Sequence, residues 1–160
     1  MTNRKKLVTE MGRIGREEFR ASQKMPLVVV LDNVRSLHNV GSVFRTSDAF
    51  RVERIMLCGI TATPPSAEIH KTALGAEDVV EWQYFVSTTD AVNQLRDQGY
   101  KVFSIEQCDG SVALQDFVAS HGDRYAVVLG NEVKGVQQAV VDLSDGAIEI
   151  PQFGTKHSLN

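Results

Sequence analysis

Three polar stretches hold the residue types from which a reactive or binding site could be built. The first runs Asp32-Asn-Val-Arg-Ser-Leu-His-Asn-Val-Gly-Ser-Val-Phe-Arg45. Small and polar residues at a helix start leave backbone N–H groups facing outward, which favours an anion such as phosphate. Gly41 would let a ligand come close to the backbone, and Arg45 offers a planar fork of donors to the same anion. An ordinary capped helix with a surface arginine fits the same residues. The second stretch, Gly130-Asn-Glu-Val-Lys-Gly135, has two glycines like a phosphate loop but continues as Val136-Gln137, which argues against a Walker-type nucleotide site. No GxGxxG follows the first apolar run either, so a nicotinamide site is unsupported. The third stretch, Pro151-Gln-Phe-Gly-Thr-Lys-His-Ser-Leu-Asn160, is crowded with polar side chains.

Each stretch follows an apolar run that reads as a strand. Leu27–Leu31, Tyr125–Leu129 and Ala147–Ile150 precede the three, and Arg54–Cys58, Val79–Trp82 and Lys101–Ile105 read as further strands. Between them lie helical patterns. One of about ten residues carries Val40, Val43, Phe44 and Phe50 with Asn39 as its N-cap. A short one is capped by Ser66, one spans residues 89–98 before Gly99, and one is marked by Val136, Val140 and Leu143. Alternation of this kind predicts an α/β fold, a mostly parallel sheet with helices on both faces. In such sheets ligands bind beyond the carboxyl ends of the strands, which is where the three stretches fall.

At 160 residues, 42% hydrophobic and 23% charged, the chain reads as one soluble globular domain and not as a disordered, collagen-like or disulfide-rich one. The longest apolar run, Leu27–Leu31, is far short of the roughly 20 residues of a membrane span, and no signal-peptide core is present. Cys58 and Cys108 have no metal-ligand spacing around them, so reduced thiols and a cytoplasmic location are expected. The net charge of −3 conceals an asymmetry. Residues 1–24 carry seven cations (Arg4, Lys5, Lys6, Arg13, Arg16, Arg20, Lys24) and three anions, hence +4, whereas the rest carries ten cations and seventeen anions, hence −7. Residues 1–24 therefore read as a basic arm with a phosphate foothold, and residues 3–22 as an amphipathic helical segment through Leu7, Met11 and Ile14 that Gly12 and Gly15 weaken.

Taken together, the stretches resemble the SpoU/TrmH family of SPOUT RNA 2′-O-ribose methyltransferases. The resemblance rests on Asn39-x5-Arg45 with Thr46-Ser-Asp-Ala-Phe50, Lys71-Thr-Ala-Leu-Gly-Ala76, Leu129-Gly-Asn-Glu-Val-Lys-Gly135, and Ile150-Pro151 with Ser158-Leu-Asn160. It implies a SPOUT methyltransferase domain over residues 25–160 with an α/β knot, a C-terminal trefoil in which the last segment threads a loop. It implies S-adenosyl-L-methionine bound through backbone groups of Ile105, Gly130, Ile150 and Leu159, with no metal. It implies Arg45, Asn39, Glu132, Ser158 and Asn160 as catalytic positions, and a homodimer whose arginine enters from the partner subunit. The third motif of the family continues into a small-residue helix, and this sequence stops at Asn160, so the C-terminal end of the domain is expected to be incomplete.

Methyl transfer from a sulfonium to a ribose hydroxyl is an in-line displacement, a task of proximity and orientation. A guanidinium with a pKa above about 12 is a costly general base. Arg45 is therefore expected to grip the adjoining phosphate and stabilise the developing alkoxide, with Glu132 orienting Arg45 or accepting the proton. RNA contacts are expected from Arg4, Lys5, Lys6, Arg13, Arg16 and Arg20 of the arm and from His157, with tRNA or rRNA as substrate. A fold-retaining RNA-binding module without catalysis is the alternative, and a non-RNA nucleotide-binding α/β protein is a third reading.

Overall fold

The computed structural model describes residues 3–156 and 158–160. Seven strands form one sheet: β1 (Met25–Asp32), β2 (Val52–Cys58), β3 (Trp82–Phe85), β4 (Tyr100–Ile105), β5 (Val112–Ala113), β6 (Arg124–Leu129) and β7 (Gly146–Glu149). Their order is β3-β2-β1-β6-β4-β7-β5, and every pairing is parallel. Five helices accompany them: α1 (Arg16–Ala21), α2 (Leu37–Ala49), α3 (Ala67–Ala73), α4 (Thr88–Asp97) and α5 (Gln138–Leu143).

The two-residue period of β1 divides the core. Val29 and Leu31 pack with Val40 and Phe44 of α2 and Ile69 of α3, whereas Val28 and Val30 pack with Val92 and Leu95 of α4 and Val140 of α5. An alternation in which both sets are apolar is what a strand buried on both faces requires. From β1 the chain builds outward through β2 to β3 on one side, and β6 and β4 lie on the other. The direction of winding thus changes between β1 and β6, which opens a crevice beyond their carboxyl ends.

Several local expectations are corrected. Helix α2 starts at Leu37 and runs thirteen residues, and its N-cap is Ser36, whose hydroxyl accepts from the Asn39 N–H at 3.2 Å. Asn39 therefore lies inside the first turn with its carboxamide free for other work. The strand expected at Val79–Trp82 begins at Trp82, because Val79 and Val80 are buried in the short turn that precedes it. The amphipathic N-terminal helix is broken into a single turn at Val8–Glu10 and the six-residue α1, with Gly12 at φ +60° between them and Leu7 and Met11 exposed. Despite their apolar type, Trp82, Phe50 and Phe153 are exposed.

Gly41 has a different reason from the one its sequence context suggests. A Cβ there would lie 2.1 Å from Thr72 Oγ1 and 2.2 Å from the Ile69 carbonyl, so the residue allows α2 and α3 to touch. Thr72 Oγ1 seals that contact by donating to the His38 carbonyl at 2.8 Å. We expect Gly41→Ala to destabilise the fold by about 1–3 kcal/mol through overpacking. Thermal melting without any ligand measures this; an unchanged melting point would return Gly41 to the role of a ligand-approach position.

Candidate active site

At the β1–β6 crevice two loops meet, and each lends a carboxylate to the other. Glu132, in the loop after β6, accepts from the backbone N–H of Arg35 (2.9 Å), the N–H of Ser36 (2.9 Å) and the carboxamide of Asn39 (3.0 Å). In return Asp32, the last residue of β1 and fully buried, accepts from the backbone N–H and side-chain amide of Gln137 at 2.8 and 2.6 Å. Asp32 also accepts from Thr88 Oγ1 at 2.6 Å and Asn33 Nδ2 at 3.1 Å, so this buried charge is surrounded by four donors.

Around this reciprocal clasp the loops are stiffened from within. Asn33 takes the left-handed conformation (φ +55°), which asparagine tolerates better than most residues. Its side chain accepts from Ile60 N–H, and its carbonyl accepts from Asn131 Nδ2 at 2.8 Å. Thr61 Oγ1 donates to the Leu31 carbonyl and accepts from Val34 N–H. Asn131 Oδ1 accepts from the N–H groups of Val133 and Lys134, and the loop closes through paired backbone bonds between Asn131 and Gly135. A Cβ on Gly130 would lie 2.2 Å from the Gly135 carbonyl carbon, so that glycine is needed for the turn itself. Glu106, after β4, accepts from Val136 N–H at 2.9 Å and ties a third strand end to the clasp.

Electrostatically, partial burial pushes the Glu132 carboxyl up. Donation from the Arg35, Ser36 and Glu132 N–H groups and from Asn39 more than offsets this, and holds it below the usual carboxylate range. An ionised group occupied by three donors is a poor proton acceptor, and no hydrogen bond or ion pair joins it to Arg45. Within the chain, Glu132 positions Asn39 and the loop before α2. Burial, with a contribution from nearby Asp32, pushes the Cys58 thiol up to about 12 even though Thr88 pulls the other way, so it is no nucleophile at neutral pH.

The remaining expected residues are distributed as follows. Arg45 lies on α2, exposed and without an ion pair among the described residues. Ile105, Gly130 and Ile150 stand at the ends of the adjacent strands β4, β6 and β7, with Ile105 paired to Ile148. Ser158, Leu159 and Asn160 are exposed and make no hydrogen bond among the described residues; His157 lies outside those residues. In the basic arm Arg4 pairs with Glu10, Arg16 pairs with Asp78, Arg20 donates to the Asp78 carbonyl and Lys24 to the Phe19, Arg20 and Ser22 carbonyls, which leaves Lys5, Lys6 and Arg13 without a partner among the described residues. Phe19 of α1 is buried against the α2 side of the core. Among the described residues no group of three His, Cys, Asp or Glu side chains is placed to hold a metal, and no helix is long and apolar enough to cross a membrane.

Asp32, Asn33, Thr88, Gln137 and Glu106 were not singled out by sequence reasoning. Only Asp32 carried a signal, as a carboxylate that directly ends a run of five apolar residues.

A parallel α/β sheet with interlocked loops at its winding switch defines a class of proteins that bind ligands at strand ends. Within it, the chain belongs to the SpoU rRNA Methylase family, which it matches over residues 26–160. A putative TrmH family tRNA/rRNA methyltransferase of Staphylococcus haemolyticus is 30% identical over 148 residues, 90% of this chain and 58% of that protein. The 23S rRNA (guanosine-2′-O-)-methyltransferase RlmB of Vibrio parahaemolyticus is 28% identical over 90% of this chain and 57% of its own length. Among solved structures, the AdoMet-bound rRNA methyltransferase from Sinorhizobium meliloti superposes with a TM-score of 0.78 at 28% identity, covering 89% of this chain and 54% of that one. The A. aeolicus TrmH/SpoU tRNA modifying enzyme gives 0.76 at 25% identity, over 91% and 72%. The chain thus spans somewhat more than half the length of these curated relatives.

Because the folded-state pKa of Glu132 is lowered, its contribution to stability is present above the ordinary carboxylate value and is lost as pH falls through the lowered one. Glu132→Gln should cost about 1–2 kcal/mol at pH 7, a figure already reduced for solvent exposure. The difference should close as pH falls below the ordinary carboxylate range and the wild-type carboxylate is protonated. Melting curves of both proteins across that range test this, and a gap that stays constant with pH would show that charge plays no part in the clasp.

Proposed function

We propose that this chain is an S-adenosylmethionine-dependent methyltransferase acting on a ribose 2′-hydroxyl of tRNA or rRNA. The observation that carries the proposal is the clasp: Glu132 fixes Asn39 and the start of α2 against the loop after β6, which is where the family motifs converge. Residues 1–24 serve as a basic arm and residues 25–160 as the methyltransferase domain of SPOUT type, knotted at its C-terminal end. The protein acts as a homodimer in the cytoplasm.

The donor set suits the cofactor. Ile105, Gly130 and Ile150 bring the main chain of three neighbouring strand ends to one edge, and Gly130 presents no side chain there. Those backbone groups, with Leu159, would hold S-adenosylmethionine, which when bound supplies an electrophilic methyl group. No residue has to act as a metal ligand.

The chain's own residues supply orientation and charge. Asn39, held by Glu132, presents its carboxamide to the ribose, and Ser158 and Asn160 hydrogen-bond the ribose or the methionine part of the cofactor. Arg45, unpaired on the exposed side of α2, grips the adjoining phosphate and stabilises negative charge developing on the 2′-oxygen. Because Glu132 is occupied, the hydroxyl proton leaves to solvent or to the phosphate in Arg45's grip. In the arm, Lys5, Lys6 and Arg13 contact the RNA backbone, and Arg4, Arg16 and Arg20 hold the arm to itself and to the domain. His157 is a further RNA contact.

Two measurements test the proposal. S-adenosylmethionine at millimolar concentration should raise the melting temperature, as any ligand specific to the native state does. Incubation with labelled cofactor and separated tRNA and rRNA pools should then label one pool at a ribose. A thermal shift without label transfer would favour an RNA-binding module that has lost catalysis, and absence of both would sink the proposal. Arg45→Lys should lower label transfer about 10²-fold or more, since a point charge cannot reproduce a bidentate grip on phosphate; near-full activity would overturn that role.

A further inference from the structure

Outside the arm, ten cations are spread over the domain, and their pairing is uneven. Arg54, Lys71, Arg96 and Lys101 are in ion pairs with Glu53, Glu68, Asp145 and Asp123, and Arg124 donates to the Gln98 carbonyl and lies over the Tyr100 ring. Five have no such partner among the described residues: Arg35, Arg45, Arg51, Lys134 and Lys156. All but Arg51 belong to the three stretches at the carboxyl ends of the strands.

Four carboxylates at this edge behave in the opposite way. Asp32 and Glu132 are consumed by the clasp, Glu106 accepts from Val136 and Gln107 N–H groups, and Glu68 is shared by Lys71 and His38. In the two clasped loops the anions are turned onto protein donors while Arg35 and Lys134 stand in solvent; farther along the edge, Asp109 and Asp116 are exposed without a partner among the described residues. The two clasped loops therefore present a local positive patch on an acidic chain. Arg35 and Lys134 are the closest to the clasp: the Arg35 N–H is bonded to Glu132, and the Lys134 N–H is bonded to Asn131 three residues before it in the clasped loop. Both side chains are exposed.

We propose that Arg35 and Lys134 form a phosphate-binding pair that seats the RNA backbone across the two clasped loops, flanking the ribose that Asn39 faces. This rests on the methyltransferase reading and adds a substrate-seating surface to it. Since both residues would meet phosphate and not base edges, their contribution is independent of sequence and depends on salt.

The test is RNA binding by the full-length protein over a KCl series, with the tRNA or rRNA pool as probe. Variants are Arg35→Gln, Lys134→Gln, the double variant, and Lys101→Gln as an ion-paired control remote from the edge. Each lost phosphate contact should flatten the slope of log affinity against log salt by about 0.7–0.9, the double variant losing both, and the control should match wild type. The cofactor-induced rise in melting temperature should stay the same in all variants, which separates loss of RNA seating from loss of fold. A double variant with a wild-type slope would overturn the phosphate pair alone. Wild-type protein that responds to cofactor but binds no RNA would overturn both the pair and the RNA-directed reading.

Discussion

The site of this protein depends on two carboxylates spent on backbone amides. A polar group taken from water must find a partner or cost the fold dearly, and charged acceptors are the strongest partners a backbone N–H can have. Asp32 and Glu132 use that rule in opposite directions across one crevice, so that neither loop can move without breaking bonds in the other. The rest follows from the clasp. The Asn39 carboxamide has a fixed position, α2 begins at a defined point, and the loop after β6 is kept tight against the strand ends. Charge is used here for positioning.

On the proposed function, this arrangement also reconciles an acidic protein with an anionic substrate. A carboxylate with two or three N–H donors projects little negative potential, because the amide dipoles oppose it. Net charge is therefore a poor guide to what the strand-end surface offers a ligand. The relevant quantity is which charges are already answered by the protein and which still face solvent.

Much of the fold was legible because its signals are local. Apolar runs such as Val28–Leu31 and Tyr125–Leu129 announce buried strands, and Gly99 and Ser66 mark where helices stop and start. What the sequence did not disclose depends on contacts between distant segments. The α2 cap moved to Ser36 because Asn39 is needed by Glu132, a residue far along the chain. Gly41 looked like an opening for a ligand until α3 was seen to fill that space. Asp32 was visible as a charge at the end of a strand, but its four donors come from three separate segments that no spacing rule connects. Arg16 and Arg20 looked like free cations because Asp78, which answers them, lies on a turn beyond α3.

The strand order has a consequence for how the molecule is made. β1 pairs on one side with β2, its immediate successor, and on the other with β6, with Leu27 opposite Tyr125. During synthesis the β1–β2–β3 half can gather as soon as it leaves the ribosome, since domains assemble from the N-terminus onward. Its central edge must then wait, unpaired, until β6 emerges. Parallel pairings between distant segments close slowly because a long loop must be ordered before any contact rewards it. The Asp32–Gln137 bonds, which span 105 residues, cannot form before that pairing is complete. The clasped edge is thus among the last regions to take shape, and a chain in which it has formed has already passed through every earlier step of folding.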